Sequence, residues 1–137
     1  MTKTSYLPEQ GPITIQAATV FTAHSSQLSL GSPSHRWRPP TDVTEMETHI
    51  VVMVEVAGME DGELNITLKG THLAVSGIRA RHSGIRAFHQ MEISYGEFFT
   101  DAKLPARVES QGVEAHYADG FLTVRLPKQR MPIIELE

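Results

Sequence analysis

The sequence predicts an all-β protein: an immunoglobulin-like antiparallel β-sandwich with a flexible N-terminal arm and a short C-terminal extension. Three observations lead to this prediction. From Thr41 onward apolar residues recur at every second position, which is the period of a half-buried strand. Asp119-Gly120 separates two such runs, and both turn positions of a two-residue hairpin favour positive φ. Sustained helical spacing is missing after residue 41.

The alternating runs follow one another along the chain with turn residues between them. Turns are predicted at Ala57-Gly58, at residues 69–72 and at Asp119-Gly120. Residues 78–90 interrupt the alternation as a long basic loop, and loops of this length are usually functional or disordered. The residues predicted to share one face within each run are Ile50, Val52, Val54 and Val56; Leu64, Ile66 and Leu68; Leu73 and Val75; Met91, Ile93 and Tyr95; Phe98, Thr100, Ala102 and Leu104; Val113, Ala115 and Tyr117; and Leu122, Val124 and Leu126.

The 137 residues amount to one ordinary domain, which the pattern divides into three parts. Residues 1–40 form the arm, residues 41–127 the sandwich and residues 128–137 the extension. The arm is rich in Ser, Thr, Gln and Pro and carries little charge, with Ile13-Thr14-Ile15 as a possible short strand. Its apolar residues are available either to other proteins or for packing on their own domain, and they are Tyr6, Leu7, Ile13, Ile15, Val20, Phe21, Leu28 and Leu30.

Composition excludes several classes of function. The chain has no cysteine, so disulfides, thiolate metal sites and cysteine nucleophiles are excluded. The net charge of −4 divides into +2 for residues 1–40 and −6 for the rest, and an acidic body does not favour nucleic acid as a partner. No stretch reaches the ~20 apolar residues of a membrane helix, and the N-terminus lacks the apolar run of a signal peptide. We therefore expect a soluble cytoplasmic protein.

Motifs for catalysis are also missing. The sequence contains no Gly-x-Ser-x-Gly elbow and no glycine-rich phosphate loop. The seven histidines show no zincin spacing. We therefore expect no enzymatic activity, no cofactor and no metal site.

Four motifs in register resemble one known family. Ala115–Val124 is similar to Ala-x-x-x-(Asn/Asp)-Gly-Val-Leu, the signature of α-crystallin domains, and Leu126-Pro127-Lys128 follows as in the family. Trp37–Glu45 resembles the beginning of this domain in bacterial and plant members. His89–Phe98, with Leu104-Pro105 after it, resembles the run through the sixth and seventh strands. The chain thus resembles the bacterial type of small heat-shock protein, the Hsp20-like family, over residues 37–137.

Three positions depart from the family pattern. Phe121 stands where members usually have valine, and Ala57-Gly58 stands where they often have Pro-Gly. Thr100 occupies the place of an arginine that helps make charged contacts at the subunit interface of relatives. The last departure concerns the details of a dimer rather than the fold.

The resemblance implies an ATP-independent chaperone, a holdase that binds unfolding client proteins through apolar surface under heat or other stress. It also implies homodimers that assemble into larger homo-oligomers. The apolar residues of the arm would bind clients, since a mobile apolar surface can adapt to many partners. The alternative is a co-chaperone-like adaptor of the related sandwich fold, which binds one defined partner; adaptors usually lack the hairpin signature and the apolar C-terminal anchor.

Two further sites come from the resemblance. One is a dimer loop exchanged between protomers, with the residues Ile85, Arg86, Phe88, His89, Met91 and Ile93. The other is a C-terminal anchor of the Ile-x-Ile type, either in the Ile134/Leu136 register or in the Met131/Ile133 register, with the first slightly favoured. The groove that receives the anchor of a neighbour would be lined by Leu64, Ile66, Leu68, Val113, Ala115 and Tyr117.

Overall fold

The computed structural model describes residues 5–6, 13–15, 19–20, 36–59 and 63–130. These residues form β-strands and turns, with no helix among them. The strands in chain order are β1 Ser5–Tyr6, β2 Ile13–Ile15, β3 Thr19–Val20, β4 Thr41–Glu45, β5 His49–Glu55, β6 Glu63–Lys69, β7 His72–Arg79, β8 Gly96–Lys103, β9 Glu114–Ala118 and β10 Phe121–Pro127. The predicted all-β class is confirmed, and β2 coincides with the short strand suggested by the alternation in the arm.

The strands form two five-stranded sheets. Sheet A has the order β1-β6-β7-β8, with β3 also paired to β6, and sheet B has the order β2-β9-β10-β5-β4. The described pairs are antiparallel apart from β3–β6, where two residues pair in parallel. A contact between β4 and β8 joins the two sheets at one end, so β6 and β9 belong to the opposite end of the sandwich. The predicted antiparallel sandwich is confirmed.

The core lies between the two sheets and follows the predicted alternation. Along β5, β6, β9 and β10 every second side chain is buried, which is what the two-residue period of a strand requires when one face packs inward. Burying each such aliphatic side chain contributes roughly 1.5–3 kcal/mol. Met59 is also fully buried, although it follows the end of β5 and belongs to no alternating run.

Two hairpins confirm the turn predictions. Ala118 pairs with Phe121, so Asp119 and Gly120 form a two-residue loop, and their φ angles are 53° and 84°. Two positive φ angles in sequence are typical of the type I′ turn, whose twist matches that of the flanking strands. Lys69 likewise pairs with His72 across the second hairpin.

The prediction of a strand around Met91, Ile93 and Tyr95 is wrong for the isolated chain. Residues 80–95 form turns and irregular backbone between β7 and β8. The interruption also begins later than predicted, because β7 extends to Arg79 and pairs with β8 along its whole length. β7 is already paired on both sides, and the segment after it pairs with no described strand of either sheet.

Trp37 attaches the chain to the sandwich just before β4. Its ring packs against Phe98 with 5.3 Å between ring centroids, and its Nε1 donates to the carbonyl oxygen of Gly96. Arg38 adds two hydrogen bonds of 2.9 Å to Asp101, one to the carboxylate and one to the backbone carbonyl. Trp37 thus anchors the domain edge.

Candidate functional site

The predicted anchor groove corresponds to the end of the sandwich where β6 and β9 lie. All six of its predicted lining residues are buried, none more than 7% exposed. Tyr117 donates its hydroxyl hydrogen to the carbonyl oxygen of Val56 at 2.9 Å, so this side chain also secures the chain after β5. All six residues belong to the hydrophobic core between the sheets, and their role as a groove lining stays a prediction.

The groove strands β6 and β9 also have their outer edges paired. Ser5 and Tyr6 of β1 pair with Asn65 and Leu64 of β6. β3 pairs with the same strand at Thr67 and Leu68. On the other sheet, β2 pairs with β9 from Ala115 to Tyr117. The backbone of the predicted client-binding arm therefore lies along both edges of the predicted groove.

The predicted arm residues divide into two groups. Tyr6, Ile13, Ile15 and Val20 lie in β1, β2 and β3. Leu7, Phe21, Leu28 and Leu30 lie outside the described residues, as does the whole predicted anchor at Met131, Ile133, Ile134 and Leu136.

The predicted dimer loop is exposed throughout. Ile85, Phe88, Met91 and Ile93 have between 42% and 61% of their surface exposed, and Arg86 and His89 are exposed as well. Four large apolar side chains within nine residues exceed the scattered apolar exposure that is normal for a surface. An exposed segment with this apolar composition is typical of a protein interface.

Arg79 fixes the base of this loop, a role that the sequence alone did not reveal. Its guanidinium lies 4.2 Å from the ring centre of Trp37 and 5.7 Å from that of Tyr95. It also donates two hydrogen bonds to the carbonyl of Ser94 and one to that of Ala57. Both contact types suit the planar, multiply donating guanidinium rather than an ammonium group. Arg79 therefore holds the two ends of the loop together.

The interior of the loop has a second arginine with fewer contacts. The guanidinium of Arg81 lies 5.4 Å from the ring centre of Phe88 and 5.9 Å from that of Tyr95. Cation–π contacts at exposed sites contribute only about 0.5–1 kcal/mol. The loop is therefore held by hydrogen bonds and cation–π contacts at its base, and by weaker cation–π contacts alone around Arg81.

Thr100, the position of the usual family arginine, faces the core. It is 1% exposed, and its hydroxyl oxygen lies 2.6 Å from that of Thr41. A buried polar side chain is tolerated where it has a hydrogen-bond partner. Thr100 therefore acts here as an internal link between the sheets.

Two kinds of feature are absent from the described residues. Within residues 36–59 and 63–130 and the three short N-terminal strands, no group of three or more His, Asp or Glu side chains is arranged to hold a metal ion. The same part of the chain has no helix of the length and apolar character that crossing a membrane requires.

Comparison with known proteins gives a consistent result. The model of the Hsp20/alpha crystallin family matches residues 42–135. Small heat shock protein C4 of Rickettsia felis is 28% identical over 93 residues, which cover 66% of this chain and 57% of that protein. Spore protein SP21 of Stigmatella aurantiaca is 30% identical over 66% of this chain and 55% of its own length. The chain thus matches little more than half the length of these curated relatives.

The solved structures show the same fold. HSP18.5 from E. histolytica superposes with a TM-score of 0.61 at 26% identity, covering 74% of this chain and 98% of that structure. Superposition is equally extensive for heat shock protein 16.0 from Schizosaccharomyces pombe, with a TM-score of 0.60 at 25% identity, covering 74% of this chain and all of that structure.

Proposed function

Since the chain belongs to the Hsp20/alpha crystallin family, we propose that it is an ATP-independent holdase that binds partly unfolded proteins and prevents their aggregation under heat or other stress. Unfolding proteins expose apolar surface and unpaired strand edges, which associate with one another. A holdase covers that surface by apolar burial, worth roughly 25 cal/mol per Å², and needs no nucleotide or catalytic residue for it. In this proposal the protein is cytoplasmic and is not an enzyme.

One observation carries the self-association on which this proposal depends: the concentration of exposed apolar side chains between Ile85 and Ile93. We assign this dimer loop to a second copy of the chain. Sheet B ends at β4, which pairs only with β5 among the described strands. A partner's loop that added to this edge would pair its backbone groups and bury apolar side chains that the isolated chain exposes.

Larger oligomers would form through the C-terminal extension. We propose that Ile134 and Leu136, or Met131 and Ile133 in the competing register, dock on the groove strands β6 and β9 of a neighbour. Residues two apart in an extended segment share a face, so either pair can enter adjacent apolar pockets. Clients would bind the apolar residues of the arm, and the acidic body would keep the complex dispersed.

The test combines mass in solution with suppression of aggregation. The protein is expected to form dimers and larger species, and to suppress light scattering from a heated, unrelated client without ATP at less than one chain per client. Bovine serum albumin at equal mass serves as the control for nonspecific suppression. A monomer that leaves the scattering unchanged would contradict the holdase and favour the adaptor.

The anchor is tested by paired substitutions. Ile134→Ser with Leu136→Ser is expected to reduce the assembly to dimers, because both apolar anchor groups are lost. Met131→Ser with Ile133→Ser, which removes the same number of apolar groups, is expected to leave the larger species in place. The reverse result would establish the other register, and no change in either variant would refute the anchor.

A further inference from the structure

The outer face of sheet A has a row of basic side chains at one end. Lys69 of β6, His72 of β7 and Lys103 of β8 lie opposite one another across the three strands, and all three are exposed. Residues in cross-strand register share a face of the sheet, and neighbouring strands are about 4.8 Å apart. Two lysines therefore flank a histidine within a strip about 10 Å wide.

The opposite end of the same face has a row of acidic side chains. Glu63 of β6, Ile78 of β7 and Glu97 of β8 also lie opposite one another, and they too are exposed. From Glu63 to Lys69 the strand covers about 20 Å, and the even number of steps keeps both rows on one face. The outer face of sheet A is thus acidic at one end and basic at the other.

The middle of this face consists of small side chains on β6 and β7. On β8, the carboxylate of Asp101 is paired with Arg38 at 2.9 Å. The guanidinium of Arg36 lies over the ring of Phe99, 4.7 Å from its centre. The small side chains between the two rows are half-buried, and they are Asn65, Thr67, Ala74 and Ser76.

The two lysines and two glutamates of the rows are available to a partner. Within the part of the chain that the structure describes, ion pairs join Arg38 to Asp101 and Lys128 to Glu45. The four charged groups of the rows take part in neither pair. Their arrangement on one face therefore allows attraction to a surface with the opposite order of charges.

A second copy of the same face has that order of charges in one orientation. A two-fold axis that lies between the copies and runs perpendicular to the strands exchanges the two ends of the face. Lys69 of one copy then lies over Glu63 of the other, and Lys103 lies over Glu97. A two-fold axis parallel to the strands would instead place the basic rows over each other. The charges thus favour the first orientation, which contains four pairs of opposite charge.

We propose that the outer faces of sheet A of two copies pack against each other in this orientation, with four ion pairs around a centre of small side chains. Facing sheets pack about 10 Å apart and about 30° from parallel, and small central side chains permit that approach. The flexible stem of lysine lets its ammonium group follow a carboxylate across this angle. The contact uses neither the dimer loop nor the tail, so it joins chains that those segments leave apart.

The size of the face makes this contact a weak one. Three strands about 4.8 Å apart and about 20 Å of strand length give a footprint on the order of 300 Å² per copy. Stable interfaces bury about 800 Å² per partner, and smaller ones are usually transient. The contact also depends on salt, because the Debye length falls from about 10 Å at 0.1 M to about 3 Å at 1 M ionic strength. It therefore forms where chains are already concentrated, as they are within larger assemblies.

The test exchanges the charges of the rows. Lys69→Glu with Lys103→Glu gives an all-acidic variant, and Glu63→Lys with Glu97→Lys gives an all-basic variant. The fourfold variant, which combines both pairs, exchanges the two rows and restores the attraction, while its net charge stays at −4. All four side chains are exposed, so the variants are expected to fold, and circular dichroism verifies that they do.

Two controls change the net charge elsewhere on the surface. Arg107→Glu with Arg125→Glu makes the same change in net charge as the all-acidic variant, and both arginines are exposed. Glu55→Lys with Glu114→Lys makes the same change as the all-basic variant, and both glutamates are exposed on sheet B. A general effect of net charge would therefore appear in the controls as well.

Sedimentation equilibrium of the full chain over a dilution series measures the association constant. At about 0.1 M ionic strength, the constant of the all-acidic and all-basic variants is expected to fall at least tenfold, and that of the fourfold variant to return to the value of the unchanged chain. A tenfold fall corresponds to about 1.4 kcal/mol, which four exposed ion pairs supply together. The controls should assemble as the unchanged chain does, and at about 1 M the differences should disappear.

Two results would overturn the proposal. If the all-acidic and all-basic variants assemble like their controls, the face does not contact a second copy. If the fourfold variant assembles as weakly as these two variants, the lysines and glutamates meet a partner other than the same face. The dimer loop and the tail are unchanged in every variant, so neither result depends on how those segments associate.

Discussion

Thr41 and Thr100 share a hydrogen bond of 2.6 Å between their hydroxyl oxygens, which joins β4 of sheet B to β8 of sheet A. Thr41 also donates its hydroxyl hydrogen to the carbonyl oxygen of Pro39 at 3.0 Å. Because a hydroxyl has a single hydrogen, Thr100 is the donor in the bond between the sheets. A short polar side chain therefore occupies the position at which the family usually has an arginine, and its hydrogen bond is made within the chain.

Thr100→Arg is expected to destabilise the fold by more than about 3 kcal/mol, because a guanidinium would enter a fully buried position without a carboxylate to pair with. Thr100→Val, which keeps the shape and removes only the hydrogen bond, is expected to cost about 1 kcal/mol. The measurement is urea unfolding of both variants at one protein concentration. An arginine variant as stable as the valine variant would show that β4 moves aside to admit the longer side chain.

Gly77→Ala is expected to destabilise the sandwich by about 3 kcal/mol through overpacking. A β-carbon at Gly77 would lie 2.0 Å from the carbonyl oxygen of Glu63 and 2.6 Å from Cζ of Phe98, and both groups are held in place by the sheet and the core. Gly70→Ala is the matched control: its added carbon meets nothing within 4 Å, and only its φ of 58° opposes the change, at about 1 kcal/mol. Equal midpoints of thermal unfolding would contradict the crowding at Gly77.

Arg79→Lys is expected to loosen the whole dimer loop. Lysine keeps the positive charge, but it cannot stack on Trp37 as a flat group while also donating to Ser94 and Ala57. Amide exchange across residues 80–95 should rise several-fold. Arg81→Lys, which changes the arginine with ring contacts alone, should raise exchange only near the loop tip. The same exchange profile in both variants would show that Arg79 and Arg81 hold the loop equally, and would contradict a special role of Arg79 at its base.

Met91→Asp is expected to shift the population toward monomers if the dimer loop meets a partner, since a charge would have to be buried at the interface. Met91 is 53% exposed in the isolated chain, so its folding should be unaffected. Phe121→Asp is the control, because Phe121 is 39% exposed and lies on β10, which β5 separates from the β4 edge. Sedimentation velocity of both variants over a dilution series measures the shift. If the Met91→Asp variant still forms the dimer, the loop is not part of the dimer interface.

The sandwich could be predicted from the sequence because the features that determine its strands and turns are local in the chain. Alternation in β5, β6 and β10 sets which side chains are buried, and the two turn residues Asp119 and Gly120 set the hairpin. These features depend on neighbours in the sequence and on one buried face. The same information located β2 in the arm.

Contacts between distant residues were not predictable in the same way. The stacking of Arg79 on Trp37 joins residues 42 positions apart, and nothing in either local sequence indicates it. The alternation at Met91 and Ile93 predicted a strand, yet a strand forms only where it pairs with another strand, and this segment pairs with none among the described residues. The pairing of β2 with β9 depends likewise on which edges the fold leaves free, and that is known only once the sandwich is assembled.

The pairing of β5 with β10 has a consequence for how the protein is made. These two central strands of sheet B pair along their full length, from Glu55 with Phe121 to His49 with Pro127, so about 70 residues separate the partners. At a synthesis rate of about 5–20 residues per second, β5 waits on the ribosome for roughly 4–14 s before β10 exists. During that time β5 pairs in sheet B with β4 alone, and its other edge has no partner. The nascent chain thus passes through a phase in which it needs the same protection from aggregation that the folded protein is proposed to give others.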